Sequence, residues 1–302
     1  MHNDFSSSPE EREGDNSDSQ KAAHKSTLVS VATNVALASA QVIAGIASGS
    51  QGLIADGIHS ASDLLGDFVV LVANAGSHKA PDHDHNYGHH RYENAASLIL
   101  GALLLAVGIG MLWSAVGKLS SPQAIAPVHA MALWVALTAL VVKELLFRYM
   151  LAVGERVRSS MLIANAWHAR SDAASSLVVA VGILGSLLGQ TILDPIAALV
   201  VGLMVARMGW SFSWDALHDL MDRAVHAEDN ERIRAVLLAT PGVAGLHDLR
   251  TRKVGDLILV DVHLEVEATM TVREGHAIAV AARANVMATL PVLNVMTHID
   301  PV

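Results

Sequence analysis

Residues 55–63 read Ala-Asp-Gly-Ile-His-Ser-Ala-Ser-Asp, and they lie in an apolar run, at about residues 52–76, that is long enough to cross a membrane. His59 and Asp63 are four residues apart, so on a helix they occupy one face. An ionisable side chain at bilayer depth costs about 2.5–3.5 kcal/mol on insertion scales. A helix that carries two of them on one face therefore indicates a functional site inside the membrane.

The same pattern, Ala-x-x-x-His-x-x-Ser-Asp, occurs again at residues 164–172, in another apolar run. If the two helices face each other, their paired side chains predict a buried metal site of two imidazoles and two carboxylates: His59, Asp63, His168 and Asp172. Zn²⁺ accepts histidine nitrogen and carboxylate oxygen in tetrahedral geometry. The alternative, hydrogen bonds or ion pairs between helices, is disfavoured because both pairs occur in one local pattern.

Composition places the chain among integral membrane proteins. Of its 302 residues, 52% are hydrophobic and 16% are charged, and the mean hydropathy is +0.41. Soluble domains usually carry about 25% charged residues. The net charge of -9 disfavours a nucleic-acid partner. With 0 Cys and 16 His, a bound metal must use nitrogen and oxygen ligands, which suits divalent ions and disfavours Cu(I).

The pattern along the chain predicts three parts. Residues 1–24 are polar and indicate a disordered tail, residues 25–214 hold six apolar segments, and residues 215–302 are mixed and soluble-looking. The predicted transmembrane helices are at about 28–48, 52–76, 95–116, 128–150, 161–188 and 192–212. Basic residues in one set of connecting loops predict that both termini and the loop between the second and third helices are cytoplasmic.

The C-terminal part indicates a small α+β domain. Residues 256–266 alternate strictly between apolar and polar side chains, which predicts a half-buried strand. The predicted order is helix, strand, strand, helix, strand, at 229–240, 244–254, 256–266, 271–290 and 292–299. The fold class is therefore an α-helical membrane protein with six transmembrane helices and a C-terminal cytoplasmic αββαβ, ferredoxin-like domain.

Two further clusters offer metal ligands. The loop at residues 81–93 contains Asp82, His85 and His89, whose spacing could place all three on one ion; a merely solvated loop is the alternative. The C-terminal domain supplies His247, His263, His276, His298 and Asp300, with scattered surface histidines as the alternative. In the second helix, Asp56 and Asp67 fall on the stripe of His59, and they either line an access path or mark a partly wet helix end.

The membrane quartet indicates an exchange of metal for protons. Histidine must be neutral and aspartate ionised to bind a metal, so metal binding releases protons. Histidine titrates near physiological pH, which suits a carrier that moves one ion outward and protons inward by alternating access. The alternatives are an intramembrane metalloenzyme and a membrane zinc sensor. The enzyme is disfavoured because four ligands would close the site and the chain has no HExxH motif.

Over about residues 26–302 the chain resembles the cation diffusion facilitator family, close to its bacterial zinc and ferrous-iron efflux members. The motifs that carry the resemblance are His59-x-x-x-Asp63, His168-x-x-x-Asp172, Asp82-x-x-His85-x-Tyr87-Gly88-x-x-Arg91-x-Glu93, His247-Asp248-Leu249-Arg250-Thr251-Arg252 and His298-Ile299-Asp300-Pro301. The resemblance implies a homodimer in the bacterial inner membrane that exports divalent metal ions against protons and is not an enzyme.

The resemblance also implies residue roles. The two membrane pairs would form the transport site, and Asp82, His85 and His89 a second metal site. The five cytoplasmic ligands would form a two-metal site bridged by Asp300. Because this domain is acidic and its histidines cluster with Asp300, we predict that zinc binding draws two cytoplasmic domains together and biases the transporter's conformation. A charge interlock between the third helix and the cytoplasmic domain maps onto Arg91 and Asp222.

One position departs from some bacterial relatives, which carry aspartate where this chain has His59. Replacing a carboxylate by an imidazole removes a negative charge and a hard oxygen ligand. This departure favours Zn²⁺ over Mn²⁺ and disfavours iron as the transported ion.

Overall fold

The computed structural model describes residues 9–77, 79–121, 125, 127–157 and 159–302. Its elements, in chain order, are α1 Pro9–Ser48, α2 Gln51–Ser77, α3 Arg91–Leu119, α4 Met131–Arg156, α5 Ser160–Leu187, α6 Leu193–Leu220, α7 Ala227–Leu238, β1 Gly245–Val254, β2 Leu257–Val266, α8 Val272–Thr289 and β3 Val292–Pro301. These elements form two compact units, one with residues up to 67 and 103–209, the other with residues 68–102 and 210–302.

All six predicted apolar segments are long helices. By length and composition, four of the described helices can cross a membrane: Lys25–Ser48, Arg91–Leu119, Leu162–Leu187 and Leu193–Leu220. Helices α2 and α4 are similarly long, with 27 and 26 residues, but each carries ionisable side chains in its middle. In α4 these are Lys143, Glu144 and Arg148, and in α2 they include the pair His59 and Asp63.

Small residues let the helices of the first unit pack closely. A Cβ atom added to Gly108 of α3 would lie 2.7 Å from the Cα atom of Ala206 in α6. Added to Gly182 of α5, it would lie 2.6 Å from the Cβ atom of Ala197, also in α6. Such contacts bring helix backbones together where lipid supplies no hydrophobic driving force.

Helix α2 begins against a carboxylate from α6. The Oδ2 atom of Asp194 accepts a 2.7 Å hydrogen bond from the backbone N–H of Gln51, and its Oδ1 atom accepts one of 2.5 Å from the Ser50 hydroxyl. Asp194 also accepts a 3.3 Å bond from the N–H of Gly52, and only 1% of this residue is exposed. A distant residue thus satisfies backbone donors that every helix start leaves without intrahelical partners.

The second unit contains the predicted αββαβ arrangement. Strands β1 and β2 pair antiparallel, and β2 and β3 pair parallel, in the order β1-β2-β3. The alternation predicted for β2 is confirmed, because every second side chain is buried against α7 and α8: Ile258, Val260, Val262, Leu264 and Val266. Helix α8 begins with a capping box, in which the N–H of Glu274 donates to the Thr271 hydroxyl and the N–H of Thr271 donates to the Glu274 carboxylate.

Two helix ends differ from the sequence predictions. Helix α1 begins at Pro9, so residues 9–24, predicted to be disordered, are helical; residues 1–8 lie outside the described residues. Proline suits the first helical turn, and the Glu, Gln, Lys and Ala residues that follow have high helix propensity. Helix α6 continues to Leu220, beyond the boundary predicted at residue 214.

Candidate metal centres

The first candidate centre lies between α2 and α5 in the first unit. One ligand atom each from His59, Asp63 and Asp172 lies within 4.8 Å of the other two. The Nδ1 atom of His59 is 3.6 Å from Oδ2 of Asp63, and 7% and 14% of these side chains are exposed. The four-residue spacing puts this pair on one face of α2, and α5 brings Asp172 opposite it. The group is therefore a nearly buried pocket of one imidazole and two carboxylates.

His168, the fourth predicted ligand, is outside this group in the described structure. Its Nε2 atom lies 4.0 Å from Oδ2 of Asp172, but 57% of the His168 side chain is exposed. Two residues further on, the guanidinium of Arg170 lies 4.8 Å from the ring centroid of Phe147 and 5.2 Å from that of Trp167. The sequence spacing places His168 on the face of α5 that bears Asp172, but its side chain is much more exposed than those of the three grouped ligands.

Asp56 is one turn from the centre and is fully buried, with 0% exposure. Its Oδ1 atom accepts a 2.8 Å hydrogen bond from the Ser175 hydroxyl, and its Oδ2 atom accepts one of 2.6 Å from the Ser176 hydroxyl. The side-chain amide of Gln41 in α1 donates a third. Both sequence interpretations of Asp56 are therefore wrong: it neither lines an accessible path nor marks a wet helix end. The side chain of Asp67 lies outside what the structure describes.

Lys143 of α4 is the cation that faces Asp56. Only 3% of it is exposed, and its Nζ atom lies 3.6 Å from Oδ1 of Asp56. The ammonium donates to the Ser176 hydroxyl at 2.8 Å, the Ser60 hydroxyl at 3.1 Å and the backbone carbonyl of Asp172 at 3.4 Å. Sequence reasoning assigned Lys143 no role, although a lysine inside an apolar segment is itself a signal of function.

The second candidate centre is the loop before α3. Ring nitrogens of His85 and His89 each lie 3.4 Å from a different carboxylate oxygen of Asp82. The backbone N–H of His85 donates to this carboxylate at 2.7 Å, and this bond lowers the pKa of Asp82 below its usual value. His89 is 6% exposed. The structure therefore brings the three predicted loop residues together around one carboxylate.

The third candidate centre follows from the strand register of the αββαβ domain. His247 of β1 is opposite His263 of β2, which is opposite His298 of β3, so the three strands present a row of imidazoles. Their nearest ring nitrogens lie 3.2, 2.9 and 3.3 Å from the carboxylate of Asp300, respectively. Although desolvation opposes it, the hydrogen bond with His263 and the nearby imidazoles lower the pKa of Asp300.

Two residues of this domain differ from the prediction. His276 is exposed on α8 and belongs to none of the ligand groups found among the described residues. Asp248, which was not predicted, forms a ligand group with His247 and His263. It has a positive φ of 49°, at a register shift between His247 and Arg250. Such a bulge re-aims a side chain, and simple strand alternation does not reveal it.

The residues of the expected charge interlock are in contact within the second unit. The Arg91 guanidinium forms an ion pair with Asp222 and donates a 3.2 Å hydrogen bond to the carbonyl of Leu220. Asp222 has a φ of 62°, in the left-handed region that aspartate tolerates better than most residues. Close by in sequence, the side chain of Asn94 accepts a 3.2 Å bond from the N–H of Gly255, in the β1–β2 turn.

Comparisons with known proteins cover almost the whole chain. Residues 27–221 match the family described as the cation efflux transmembrane domain, and residues 225–302 match the cytoplasmic domain of cation efflux proteins. The chain is 36% identical over 283 residues to metal tolerance protein C1 of Arabidopsis thaliana, which spans 89% of this chain and 60% of the plant protein.

Relatives of similar length are also found. An uncharacterised transporter of Methanocaldococcus jannaschii is 34% identical over 276 residues, 91% of this chain and 97% of that protein. The manganese efflux system protein MneS of Bacillus subtilis is 31% identical over 262 residues, 87% of this chain and 90% of that protein. A solved MamM C-terminal domain aligns with 26% of this chain and 99% of its own, at 29% identity and a TM-score of 0.25. The two family matches and these full-length relatives show that the chain belongs to the cation diffusion facilitator family, as a multi-pass membrane transporter for divalent cation efflux with a cytoplasmic C-terminal domain.

Proposed function

We propose that this transporter is a proton-coupled antiporter that exports Zn²⁺ from the cytoplasm by alternating access. The observation that carries the proposal is the nearly buried group of His59, Asp63 and Asp172 between α2 and α5. Two carboxylates balance the charge of one divalent ion, and the imidazole supplies a nitrogen ligand. His168, one turn from Asp172, is the side chain that completes four-fold coordination.

The donor set favours zinc. Two imidazoles with two carboxylates suit tetrahedral Zn²⁺, whereas Mn²⁺ prefers more oxygen ligands and higher coordination. The name of the Bacillus relative states manganese efflux for that protein. Direct competition between Zn²⁺ and Mn²⁺ therefore tests the assignment of zinc.

Proton coupling follows from the protonation state that metal binding requires. His59 and His168 bind the ion only when neutral, and Asp63 and Asp172 only when ionised, so each ion that arrives displaces protons. Protons arriving from the opposite side compete for the same nitrogen and oxygen atoms and release the ion. The site is thus loaded by either the metal or protons, which is what antiport needs.

Flux in proteoliposomes tests this proposal. With an imposed pH gradient, the protein is expected to move Zn²⁺ into the lumen while protons leave it. The lumen should therefore become more alkaline as zinc enters. Cd²⁺, Co²⁺, Mn²⁺ and Fe²⁺ serve as competitors, and Asp63→Asn is expected to abolish flux. Arg148→Met is the control, because Arg148 is exposed on α4 and its ion pair is a local one with Glu144, at 2.8 Å. Flux that ignores the pH gradient, or that Mn²⁺ outcompetes, would contradict the proposal.

A regulatory role for the cytoplasmic domain belongs to the same proposal. The row of imidazoles around Asp300 is partly exposed, so it is accessible to metal ions from the cytoplasm. Zinc bound there would draw the domains of a homodimer in the bacterial inner membrane together and bias the transporter's conformation. The loop residues Asp82, His85 and His89 would hold a further ion close to the cytoplasmic end of α3.

A further inference from the structure

We infer that Lys143 is a positioning residue for transport, because its ammonium is the fixed counter-charge that keeps Asp56 out of the coordination of the transported ion. The inference rests on the transport role proposed for His59, Asp63 and Asp172. It concerns a buried side chain on a helix, α4, that contributes no ligand to the candidate centres.

The hydrogen bonds of Lys143 connect the two ligand-bearing helices. A lysine ammonium has three N–H donors, and here they are directed to Ser60 and Ser176 and to the carbonyl of Asp172. Ser60 directly follows His59 on α2, and Asp172 is itself a proposed ligand on α5. Lys143 therefore contacts both ligand-bearing helices at the level of the transport site.

The same ammonium neutralises a carboxylate that would otherwise compete for the metal. Asp56 is three residues before His59 on α2, so the two lie on one side of the helix. Its oxygen atoms accept hydrogen bonds from Gln41, Ser175 and Ser176, and Lys143 Nζ is 3.6 Å away. With the pair Asp56–Lys143 neutral, Asp63 and Asp172 supply the two negative charges that one divalent ion needs.

Removing the ammonium would leave three negative charges around one divalent ion. Such a site holds its ion more tightly than the parent site and releases it more slowly. Tighter binding with slower release lowers the apparent KM and the maximal flux together. Simple loss of a binding contact instead raises KM. The two explanations are therefore separable by kinetics.

The test compares two variants of the full chain in proteoliposomes. For Lys143→Met, which removes the charge but keeps an unbranched side chain, we expect the maximal flux and the apparent KM for Zn²⁺ each to fall about tenfold or more. For the double variant Asp56→Asn with Lys143→Met, the buried pair is neutral again, and we expect both parameters to return to within about threefold of the parent. Arg148→Met, a charge removed from the exposed side of α4, should behave like the parent.

Several outcomes would overturn the inference. A Lys143→Met variant with a raised KM, or a double variant that is no better than the single one, would show that Lys143 does not act through Asp56. Size-exclusion chromatography verifies that each variant is folded before its flux is compared with that of the parent. If the parent exports Mn²⁺ in preference to Zn²⁺, the zinc proposal fails, and the same comparison made with Mn²⁺ still decides the role of Lys143.

Discussion

The Nε2 atom of His168 lies 4.0 Å from Oδ2 of Asp172, yet 57% of the histidine side chain is exposed against 15% of the aspartate side chain. The two residues share one face of α5, but only the aspartate belongs to the ligand group of His59 and Asp63. The pocket thus has three assembled ligands and a fourth at its rim. This asymmetry predicts that transport depends more strongly on Asp172 than on His168.

Asp172→Ala is expected to abolish flux, because it removes one of the two charges that balance the ion inside the pocket. His168→Ala is expected to weaken apparent affinity by about ten- to a hundredfold, with some flux retained at high metal concentration. Concentration-dependent flux in proteoliposomes measures both. Equal losses in the two variants would contradict the asymmetry.

His59→Asp is expected to broaden the ion range while keeping transport. The change replaces a nitrogen ligand by a hard, negatively charged oxygen ligand, which Mn²⁺ and Fe²⁺ accept more readily than an imidazole. Competition of each ion with Zn²⁺ flux gives the measurement. Should the order of competing ions stay as in the parent, His59 does not set selectivity.

Zinc is expected to shorten the distance between the two cytoplasmic domains of a dimer. Because the chain has 0 Cys, a single cysteine introduced at the exposed Arg283 of α8 can carry a spin label without further engineering. In Asp300→Asn the shortening should need about tenfold or more additional zinc, since the carboxylate contacts all three imidazoles. A distance that zinc leaves unchanged would remove the regulatory part of the proposal.

The start of α8 is expected to lose protection from hydrogen exchange at acid pH, because Glu274 becomes protonated. The backbone N–H and the hydroxyl of Thr271 donate to this carboxylate and lower its pKa. A depressed folded-state pKa means that the stabilisation is present above the unfolded value, about 4.3, and is lost as the pH falls through the lower folded value. Hydrogen exchange of α8 in the full chain measures it, and Glu274→Gln should show a weaker dependence on pH. A parent and variant with the same acid profile would exclude Glu274 as the cause.

The order of the elements was predictable because the patterns that specify it are local. Six apolar runs give six helices, and the strict alternation at 256–266 gives β2. In each case the spacing of apolar residues within the segment shows which side chains are buried. The capping residue Thr271 and the pair Pro241-Gly242 mark helix limits in the same local way. The strand register that aligns His247, His263 and His298 is set by the pairing between strands, and the order of elements alone does not give it.

The remaining features depend on contacts between distant segments. The role inferred for Lys143 depends on its hydrogen bonds to α2 and α5, whose bonded residues lie far from it in sequence. Asp248 joins a ligand group because of a bulge, and alternation cannot locate an inserted residue. The 57% exposure of His168 depends on the packing around its side chain, which sequence spacing does not determine. His276 has the right residue type in the right domain, but helix α8 leaves it exposed.

The carboxylate of Asp194 has a mechanical consequence for alternating access. It holds the first turn of α2 to the first turn of α6 through three hydrogen bonds in a site that is 1% exposed. Separating the helices there would leave the buried carboxylate and its three hydrogen-bond donors without partners, which is costly. We therefore expect α2 and α6 to travel as one rigid body at this end of the bundle. Any passage that opens at this end of the bundle has to form between other helices, because Asp194 keeps α2 and α6 together.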